Sequence, residues 1–438
     1  MKTILFFTHK HISHIVPLSE LIQCLVSHKF RVVCFGDIQN IEKIENMGAT
    51  FVSYPELQTV DHSLILSDID KKFVVATKSY RFEESYYFLL KKGAIKKHYI
   101  TEEEISVLTE YVKKISPSFI FHDVVDLYAP IICERLGITR IDYITNNLYN
   151  RSFFDCDPVF LNALMVRGVH LIGILGEEYF KNFWEKEREI YNDVHNELSC
   201  TPVPELTQFN MNGELNLIFS SEILQPESSI IDKKRYITFS PTLDRFAIEN
   251  DISDSLKEFI SNNKNREIIY IAHGSYLNEG ADYYKLLLSW IKENDIVAII
   301  SCGKSLNLVK DLINVLDLNK LVYTDSFLPQ KYILSKSDLF ITTGGINSVM
   351  ESIYFSVPMI INPVSAEQRM NGYLIEKLNL GMSQFNTKNR SLDEVFKLVM
   401  DNNKKIIDNM KNYSNRIINN NDDKLEGLMK SLKKLSNE

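Results

Sequence analysis

Three histidines follow an early apolar segment of the chain, and an aspartate ends a later one. The first segment is K-T-I-L-F-F-T, which runs into His9, His11 and His14, and the second is F-I-F-H-D, which ends at Asp123. Polar residues that follow parallel strands meet at the carboxyl edge of their sheet, where open α/β sheets bind ligands. A neutral imidazole can accept a proton from a hydroxyl, and a carboxylate beside it orients the ring. Residues of these types at one sheet edge could therefore carry out general-base chemistry.

A second group of residues is typical of a phosphate site. The apolar run D-L-F-I-T-T leads into Gly344 and Gly345, and a helical segment with Asn347 and Ser348 in its first turn follows. The first turn of a helix leaves backbone N–H groups unpaired and carries partial positive charge. Glycines let a backbone approach a bulky phosphate. Glu351 lies four residues after Asn347, on the same helix face, where it can accept hydrogen bonds from ribose hydroxyls. The segment predicts a nucleoside diphosphate site.

Short apolar strands alternate with amphipathic helices along both halves of the chain, which favours parallel sheets covered on both faces. At 438 residues the chain is too long for one ordinary core. The predicted fold class is therefore α/β, with two doubly wound parallel-sheet domains. The predicted boundaries are 1–240 for an N-terminal domain, 241–265 for a linker, 266–415 for a C-terminal domain, and 416–438 for a terminal helix.

Composition excludes several classes of protein. The hydrophobic fraction of 45% with 24% charged residues is ordinary for a globular chain, and a net charge of −8 disfavours nucleic acid as a partner. The six cysteines form no C-x-x-C pair, which disfavours a disulfide framework or a zinc site. No segment reads as a cleaved leader or a membrane span, so a cytoplasmic location is expected. The histidines after the first strand match no common metal-ligand spacing, and metal binding there is disfavoured.

The segment from Phe327 to Gln368 resembles the donor-binding signature of family 1 UDP-glycosyltransferases, particularly the bacterial macrolide and natural-product branch. The resemblance covers the whole chain, strongly in this segment and weakly in the middle. It implies the GT-B fold, in which two Rossmann-like domains face each other across a cleft that holds the active site. In that fold the domain at 1–240 would bind the acceptor, and the domain at 266–415 would bind the nucleotide sugar. It also implies that the last helix packs back on the N-terminal domain.

The same resemblance implies a role for each donor-site residue. Phe327 would stack on uracil, Leu328 would offer backbone groups to the base edge, and Glu351 would hold the ribose. Glu367 and Gln368 would hold sugar hydroxyls. The full donor site implied in this way comprises Ser275, Phe327, Leu328, Gln330, Thr343, Gly344, Gly345, Asn347, Ser348, Glu351, Glu367 and Gln368.

Two positions depart from the family pattern. The family usually has His-Gly-Gly where this chain has Thr343, and that histidine touches the diphosphate. In A-H-G-S, which resembles the family's F-G-S/T turn, His273 replaces the usual aromatic residue and Ser275 would contact a phosphate. Asn347 and Ser348 would meet the phosphates from the helix.

Matching the histidine-rich turn to the family's G-H-V-N-P turn puts His11 at the general-base position, paired with Asp123; Asp126 is a weaker substitute. The implied reaction is a single displacement that inverts the anomeric carbon and transfers a hexose, expected to be glucose, from UDP to a hydroxyl. Neither a tightly bound cofactor nor a metal is expected. Aromatic residues fall where the family builds an acceptor pocket; they are Phe73, Tyr80, Phe82, Tyr86, Tyr87, Phe88, Phe153, Phe154, Phe160, Phe183 and Trp184. Many of them are expected to be ordinary core and a minority to line the pocket, so a lipophilic, hydroxylated small molecule is the expected acceptor.

Other functions stay open at this level. One is a catalytically impaired homologue that binds a nucleotide or a partner protein, for which Thr343 and His273 are the sequence support. Others are GT-B enzymes of a different class, either a lipid glycosyltransferase or a UDP-sugar epimerase. The chain is expected to be a monomer or a weak homodimer.

Overall fold

The computed structural model describes residues 2–9, 11–55, 63–78, 87–88, 90–93, 95, 100–198, 201–202, 211–226, 235–241, 247–248, 251–273, 281–384, 390–418 and 421–435. The described strands are β1 (Thr3–Phe7), β2 (Arg31–Gly36), β3 (Thr50–Ser53), β4 (Phe119–Asp123), β5 (Thr139–Ile144), β6 (Leu215–Ile218), β7 (Tyr236–Thr238), β8 (Ile268–Ala272), β9 (Val297–Ser301), β10 (Val322–Asp325), β11 (Leu339–Thr342), β12 (Met359–Ile361) and β13 (Gly381–Ser383).

The described α-helices alternate with these strands along the chain. They are α1 (Ile12–Ile15), α2 (Ser19–Ser27), α3 (Ile41–Asn46), α4 (Ser63–Lys78), α5 (Glu102–Ile115), α6 (Tyr128–Leu136), α7 (Arg151–Asp155), α8 (Pro158–Met165), α9 (Ile172–Leu175), α10 (Glu177–Lys181), α11 (Phe183–Leu198), α12 (Asp254–Asn262), α13 (Ala281–Glu293), α14 (Leu306–Leu316), α15 (Gln330–Leu334), α16 (Ile346–Tyr354), α17 (Ala366–Lys377), α18 (Leu392–Asp401), α19 (Asn403–Ile417) and α20 (Asp422–Leu435).

The strands form two separate parallel sheets. The first sheet has the order β3-β2-β1-β4-β5-β6-β7, and the second has the order β10-β9-β8-β11-β12-β13. In each sheet the chain starts near the middle, works outward to one edge and then returns to build the other. This is the doubly wound arrangement, and the predicted α/β fold class is confirmed.

Helices cover both faces of each sheet because successive strand residues point to opposite sides. In β1, Ile4 and Phe6 share a buried cluster with α2, whereas Leu5 and Phe7 share one with α5 and α6. In β8, Ile271 is buried with α13, α16 and α19, and Tyr270 is buried with α12 and α15. Near-continuous apolar strands are therefore required, as the sequence pattern indicates.

The last helix, α20, packs against the first sheet although the chain reaches it from the second. Leu425, Leu428, Met429 and Leu432 are buried in the cluster that contains Ile4. Leading into this helix, the Asn421 side chain donates to Glu20 Oε2 at 2.8 Å. The domain boundaries predicted from the sequence stay predictions.

The strand β5, T-R-I-D-Y-I, has no counterpart in the sequence analysis because two charged residues interrupt it. Asp142 is 1% exposed, and its carboxylate is satisfied inside the protein. It accepts hydrogen bonds from His122 Nδ1 at 2.8 Å and from the backbone N–H of Gly213 at 2.7 Å, and it pairs with Arg140 at 2.7 Å. A buried carboxylate with this many partners is tolerated in a strand that composition alone would reject.

Candidate active site

The carboxylate of Asp123 meets a histidine of the first βα turn at the carboxyl edge of the first sheet. β1 and β4 are neighbouring strands, with Phe7 opposite His122, so the turn after β1 lies beside the end of β4. His14 Nδ1 is 2.8 Å from Asp123 Oδ2, and the two side chains are 23% and 1% exposed, respectively. Asp123 Oδ1 accepts a hydrogen bond from the backbone N–H of Val125 at 3.1 Å. The aspartate is thus held rigidly, and the histidine is open to one side.

The electrostatics of this pair suit a general base. Burial lowers the pKa of His14, but the charge of Asp123, the hydrogen bond to it and the nearby charge of Glu367 outweigh burial and raise that pKa above its usual value. Burial raises the pKa of Asp123, yet His14 and the N–H of Val125 hold that pKa below its usual value. An ionised carboxylate only accepts hydrogen bonds, so Nδ1 of His14 carries the proton and Nε2 keeps its lone pair. Nε2 is the atom that can take a proton from a hydroxyl.

This geometry corrects the expected pairing of His11 with Asp123. His11 is the N-cap of α1, and its ring centroid lies 4.7 Å from that of His9. The chain turns into α1 after His11, which carries His14 back over the end of β4. The sequence held a signal for this: the histidine of G-H-V-N-P lies three residues before its proline, and His14 lies three residues before Pro17. His11 lies six residues before it.

The turn after β11 has the shape that an anion site requires. Gly344 has φ +86°, and a Cβ there would lie 2.7 Å from Cγ2 of Ile361. Gly345 has φ −60°, is the N-cap of α16, and has open space where a Cβ would be. Only glycine fits the first position, whereas at the second the missing side chain leaves room in front of the helix.

Three predicted donor-site residues form one hydrogen-bonded group. Gln330 Nε2 donates to Glu351 Oε2 at 2.7 Å and to Ser348 Oγ at 3.2 Å. This bond brings the start of α15 against one face of α16 and aims the carboxylate of Glu351. Leu328 is buried, but Phe327, two residues earlier, is 87% exposed. A phenyl ring left in solvent beside this group is suited to stacking on a base.

The start of α17 brings the two predicted sugar-binding residues to the same edge. Gln368 Nε2 donates to Thr343 Oγ1 at 3.2 Å, and its Oε1 accepts from the N–H of Ser365 at 3.2 Å in a capping box. Burial raises the pKa of Glu367, which the charge of His14 partly opposes. Gln368 thus contacts Thr343, which stands where the family has a histidine. Glu367 and His14 are close enough for the charge of each to change the pKa of the other.

The two halves of the chain meet at this edge. Asn347 Nδ2, in the first turn of α16, is 3.4 Å from the backbone oxygen of Ser13 in α1. The His14–Asp123 pair and the glycine turn therefore both lie near the junction of the two halves. Ser275 lies outside the described residues. No group of three or more His, Cys, Asp or Glu in the described part of the chain is arranged to hold a metal ion.

His273 is buried at the end of β8, where it takes the place of the family's aromatic residue. Its Nε2 is 2.5 Å from the hydroxyl of Tyr283, and the two rings meet edge to face. Burial lowers the pKa of His273 to about 4, so the ring is neutral at physiological pH. The imidazole packs here as an aromatic ring would.

Two further carboxyl-edge residues have other partners. His122 is fully buried against Asp142, and its Nε2 lies 2.8 Å from the backbone oxygen of Asp126. Asp126 Oδ2 accepts a hydrogen bond from the N–H of Ala129 at the start of α6. Both residues stabilise the loop that follows β4. Asp123, and not Asp126, is the carboxylate that contacts His14.

The expected acceptor-pocket aromatics are divided by the structure. Phe153, Phe154, Phe183 and Trp184 are buried in one cluster, with Phe160 partly buried against it. Tyr87 and Phe88 are partly buried in another cluster. The side chain of Phe73 and residues Tyr80, Phe82 and Tyr86 lie outside the described part. Most of the expected acceptor-pocket aromatics that the structure describes therefore belong to the hydrophobic core.

Comparison with known proteins agrees with the donor-side geometry. Residues 249–418 match the family described as UDP-glucoronosyl and UDP-glucosyl transferase. A protein of Bacillus subtilis strain 168 named as an uncharacterized UDP-glucosyltransferase, YdhE, is 30% identical over 177 residues, which are 40% of this chain and 42% of that protein. The NDP-glycosyltransferase YjiC of the same strain is 24% identical over 65% of this chain and 64% of its own length. The alignments thus span less than two thirds of either relative.

Solved structures of similar fold extend over nearly the whole chain. The glycotransferase of kitacinnamycin matches with a TM-score of 0.64 at 17% identity, covering 95% of both chains. Medicago truncatula UGT71G1, solved with UDP-glucose, matches with a TM-score of 0.64 at 13% identity, covering 99% of this chain and 98% of its own. These structures confirm the GT-B fold, and the family match over residues 249–418 confirms the resemblance to family 1 UDP-glycosyltransferases. No helix in the described part of the chain has both the length and the hydropathy to cross a membrane.

Proposed function

We propose that this protein is an inverting glycosyltransferase that moves a hexose, expected to be glucose, from a UDP-sugar to a hydroxyl of a lipophilic small molecule. The observation that carries the proposal is the His14–Asp123 pair at 2.8 Å, near the junction at which the helix that follows the Gly344–Gly345 turn contacts the first half. The first can activate a nucleophile, and the second can hold a departing diphosphate.

In the proposed reaction, Nε2 of His14 accepts the proton of the acceptor hydroxyl while its oxygen attacks the anomeric carbon. The bond from that carbon to the diphosphate oxygen breaks, and UDP leaves with the electron pair. Asp123 stabilises the imidazolium, and the N-terminus of α16 stabilises the charge that develops on the leaving group. One displacement inverts the configuration, so an α-linked donor gives a β-glycoside. No step is routed through a metal.

Donor recognition is proposed to use the Gln330–Ser348–Glu351 group for the ribose and Phe327 for the base. Gln330 holds the Glu351 carboxylate at 2.7 Å, so it is oriented before any ligand arrives. The sugar is assigned to Glu367 and Gln368 at the start of α17, close to the catalytic pair. The match of residues 249–418 to the UDP-glucoronosyl and UDP-glucosyl transferase family supports UDP as the nucleotide.

Calorimetric titration with UDP tests the donor site without any knowledge of the acceptor. We expect binding in the micromolar to sub-millimolar range, lost in Glu351→Ala. Glu258→Ala, which changes an exposed glutamate of α12, is the matched control and should bind normally. Failure of the unmodified protein to bind UDP would contradict the proposal and favour the impaired homologue.

The acceptor and the reaction class need a second experiment. A panel of hydroxylated polycyclic and aromatic compounds, incubated with UDP-glucose and other UDP- and dTDP-sugars, should yield a β-glycoside. Turnover of the UDP-sugar in the absence of acceptor would indicate an epimerase instead. Activity confined to a membrane fraction would indicate a lipid glycosyltransferase.

A further inference from the structure

The helix α17 joins the donor turn to the first half of the chain through residues other than the predicted sugar-binding pair. Its first turn is held by the Ser365–Gln368 capping box, and Gln368 also reaches Thr343. Gln368 therefore ties the N-terminus of α17 to the β11–α16 turn. Two later residues of the helix, Arg369 and Tyr373, contact α8 and α7 of the first half.

Arg369 caps a helix of the opposite half. Its Nε donates to the backbone oxygen of Leu164 at 2.8 Å and of Met165 at 3.2 Å, and its Nη2 donates to Met165 as well. These two residues end α8, where carbonyl groups have no partner within the helix and a cation is favoured. The arginine is only 7% exposed. It therefore anchors α17 firmly to the first half.

Asn371, half a turn further on, links the two halves at the glycine turn itself. Its Oδ1 accepts a hydrogen bond from the hydroxyl of Tyr149 at 2.6 Å, and its Nδ2 donates to the backbone oxygen of Gly344 at 2.9 Å. Longer contacts of 3.5 Å join it to Asn146 and Asn147. Asn371 is 1% exposed, so the hydrogen-bonding capacity of its amide is used inside the protein. A single side chain bridges Tyr149 and Gly344.

The bond to Gly344 orients the group that meets a phosphate. In a trans peptide the C=O of one residue and the N–H of the next point in opposite directions. Because Asn371 holds the oxygen of Gly344 toward the buried side, the N–H of Gly345 points away from it. Gly345 is half-exposed and begins α16. The bridge thus turns an N–H group outward at the start of that helix.

We propose that Asn371, supported by Tyr149, is a positioning residue that makes diphosphate binding by the second half depend on the first half. The inference rests on the proposed function and adds to it a specific contribution of the acceptor side to donor binding. Tyr149 is packed in the aromatic cluster with Phe153 and Phe154. A shift of that cluster would therefore be transmitted to the glycine turn through the Tyr149 hydroxyl and the Asn371 side-chain amide.

The test compares UDP with uridine, which lacks the phosphates. Tyr149→Phe keeps the ring in its cluster and removes only the hydroxyl. Loss of one hydrogen bond should weaken UDP binding by roughly three- to tenfold and leave uridine binding unchanged. Asn371→Ala, which removes both contacts, should lower the UDP-to-uridine affinity ratio further. Tyr373→Phe is the control, since Tyr373 lies on the same helix and packs against Phe153 and Phe160, and should leave the ratio unchanged.

A ratio equal to that of the unmodified protein in both Tyr149→Phe and Asn371→Ala would overturn the inference. Equal weakening of UDP and uridine, or a lower melting temperature with an unchanged ratio, would also overturn it, because either result is what a purely structural contact produces. If the unmodified protein binds uridine but gains nothing from the phosphates, the proposed function fails first, and this inference fails with it.

Discussion

Replacing His14 by asparagine should remove the proton acceptor while keeping a hydrogen-bond donor beside Asp123. The asparagine Nδ2 can occupy the place of the ring Nδ1, which lies 2.8 Å from Asp123 Oδ2. A positioned general base contributes roughly 10²–10⁴-fold to a rate. At about 1.4 kcal/mol for each factor of ten, transfer in His14→Asn should lose roughly 3–5 kcal/mol of transition-state stabilisation. Binding of UDP, which uses other residues, should be unaffected.

His14→Ala separates the chemical role of this residue from its structural one. Alanine leaves the Asp123 carboxylate, 1% exposed, with the N–H of Val125 but without the ring. Loss of a charged hydrogen bond to a buried group costs about 1–3 kcal/mol of stability. His14→Ala should therefore unfold more easily than His14→Asn, although both should be equally poor catalysts.

The assay is the initial rate of glycoside formation with saturating UDP-sugar, together with UDP binding by calorimetry. His11→Asn is the matched control and should keep transfer within about threefold of the unmodified rate, well short of the 10²-fold loss that a missing base produces. Full activity in His14→Asn, or a large loss in His11→Asn alone, would refute the assignment of the base and restore His11 to that role.

Three further predictions concern pH and the donor turn. In a pH–rate profile, kcat/KM should fall on the acid side with a midpoint above pH 6.5, because Asp123 raises the pKa of His14 and only the neutral ring accepts a proton. In Asp123→Asn this midpoint should move to lower pH. Gly344→Ala should lower the free energy of unfolding by about 1–3 kcal/mol in chemical denaturation because φ is +86°. Gly345→Ala should leave stability unchanged and weaken UDP binding. Equal stability of the two variants would contradict this prediction. Phe327→Ala should weaken the binding of UDP and of uridine equally, by about 1–3 kcal/mol in calorimetry. Stability should be unchanged because the ring is 87% exposed. Unchanged affinity for both ligands would exclude stacking of the base on Phe327.

The residues that the family resemblance assigns to the donor side could be expected near one another, because they lie on consecutive elements of the chain. Gln330 and Glu351 are 21 residues apart, and Thr343 and Gln368 are 25 apart. A strand, a glycine turn and a helix in immediate succession leave few ways to arrange these side chains. The fold class was accessible for a similar reason, since apolar strands alternating with helices favour a parallel sheet.

Buried polar side chains account for what the sequence pattern missed. β5 was not predicted because Arg140 and Asp142 break its apolar run, and burial of Asp142 becomes possible only when His122 and two backbone N–H groups converge on it. The sequence states that a carboxylate is present but not whether partners will surround it. That depends on a neighbouring strand and on a loop of the same sheet.

By itself, the sequence determined the two-sheet architecture and the glycine turn before α16, because both depend on short-range periodicity and on local backbone requirements. Only the tertiary structure decided that His14 meets Asp123, 109 residues away, and that Asn371 bridges Tyr149, 222 residues away, to the glycine turn. Three histidines in one short turn offer similar chemistry, and the rotation of α1 about its own axis decides which of them faces the end of β4. This rotation depends on how the helix and sheet layers pack against each other, which no local sequence pattern encodes.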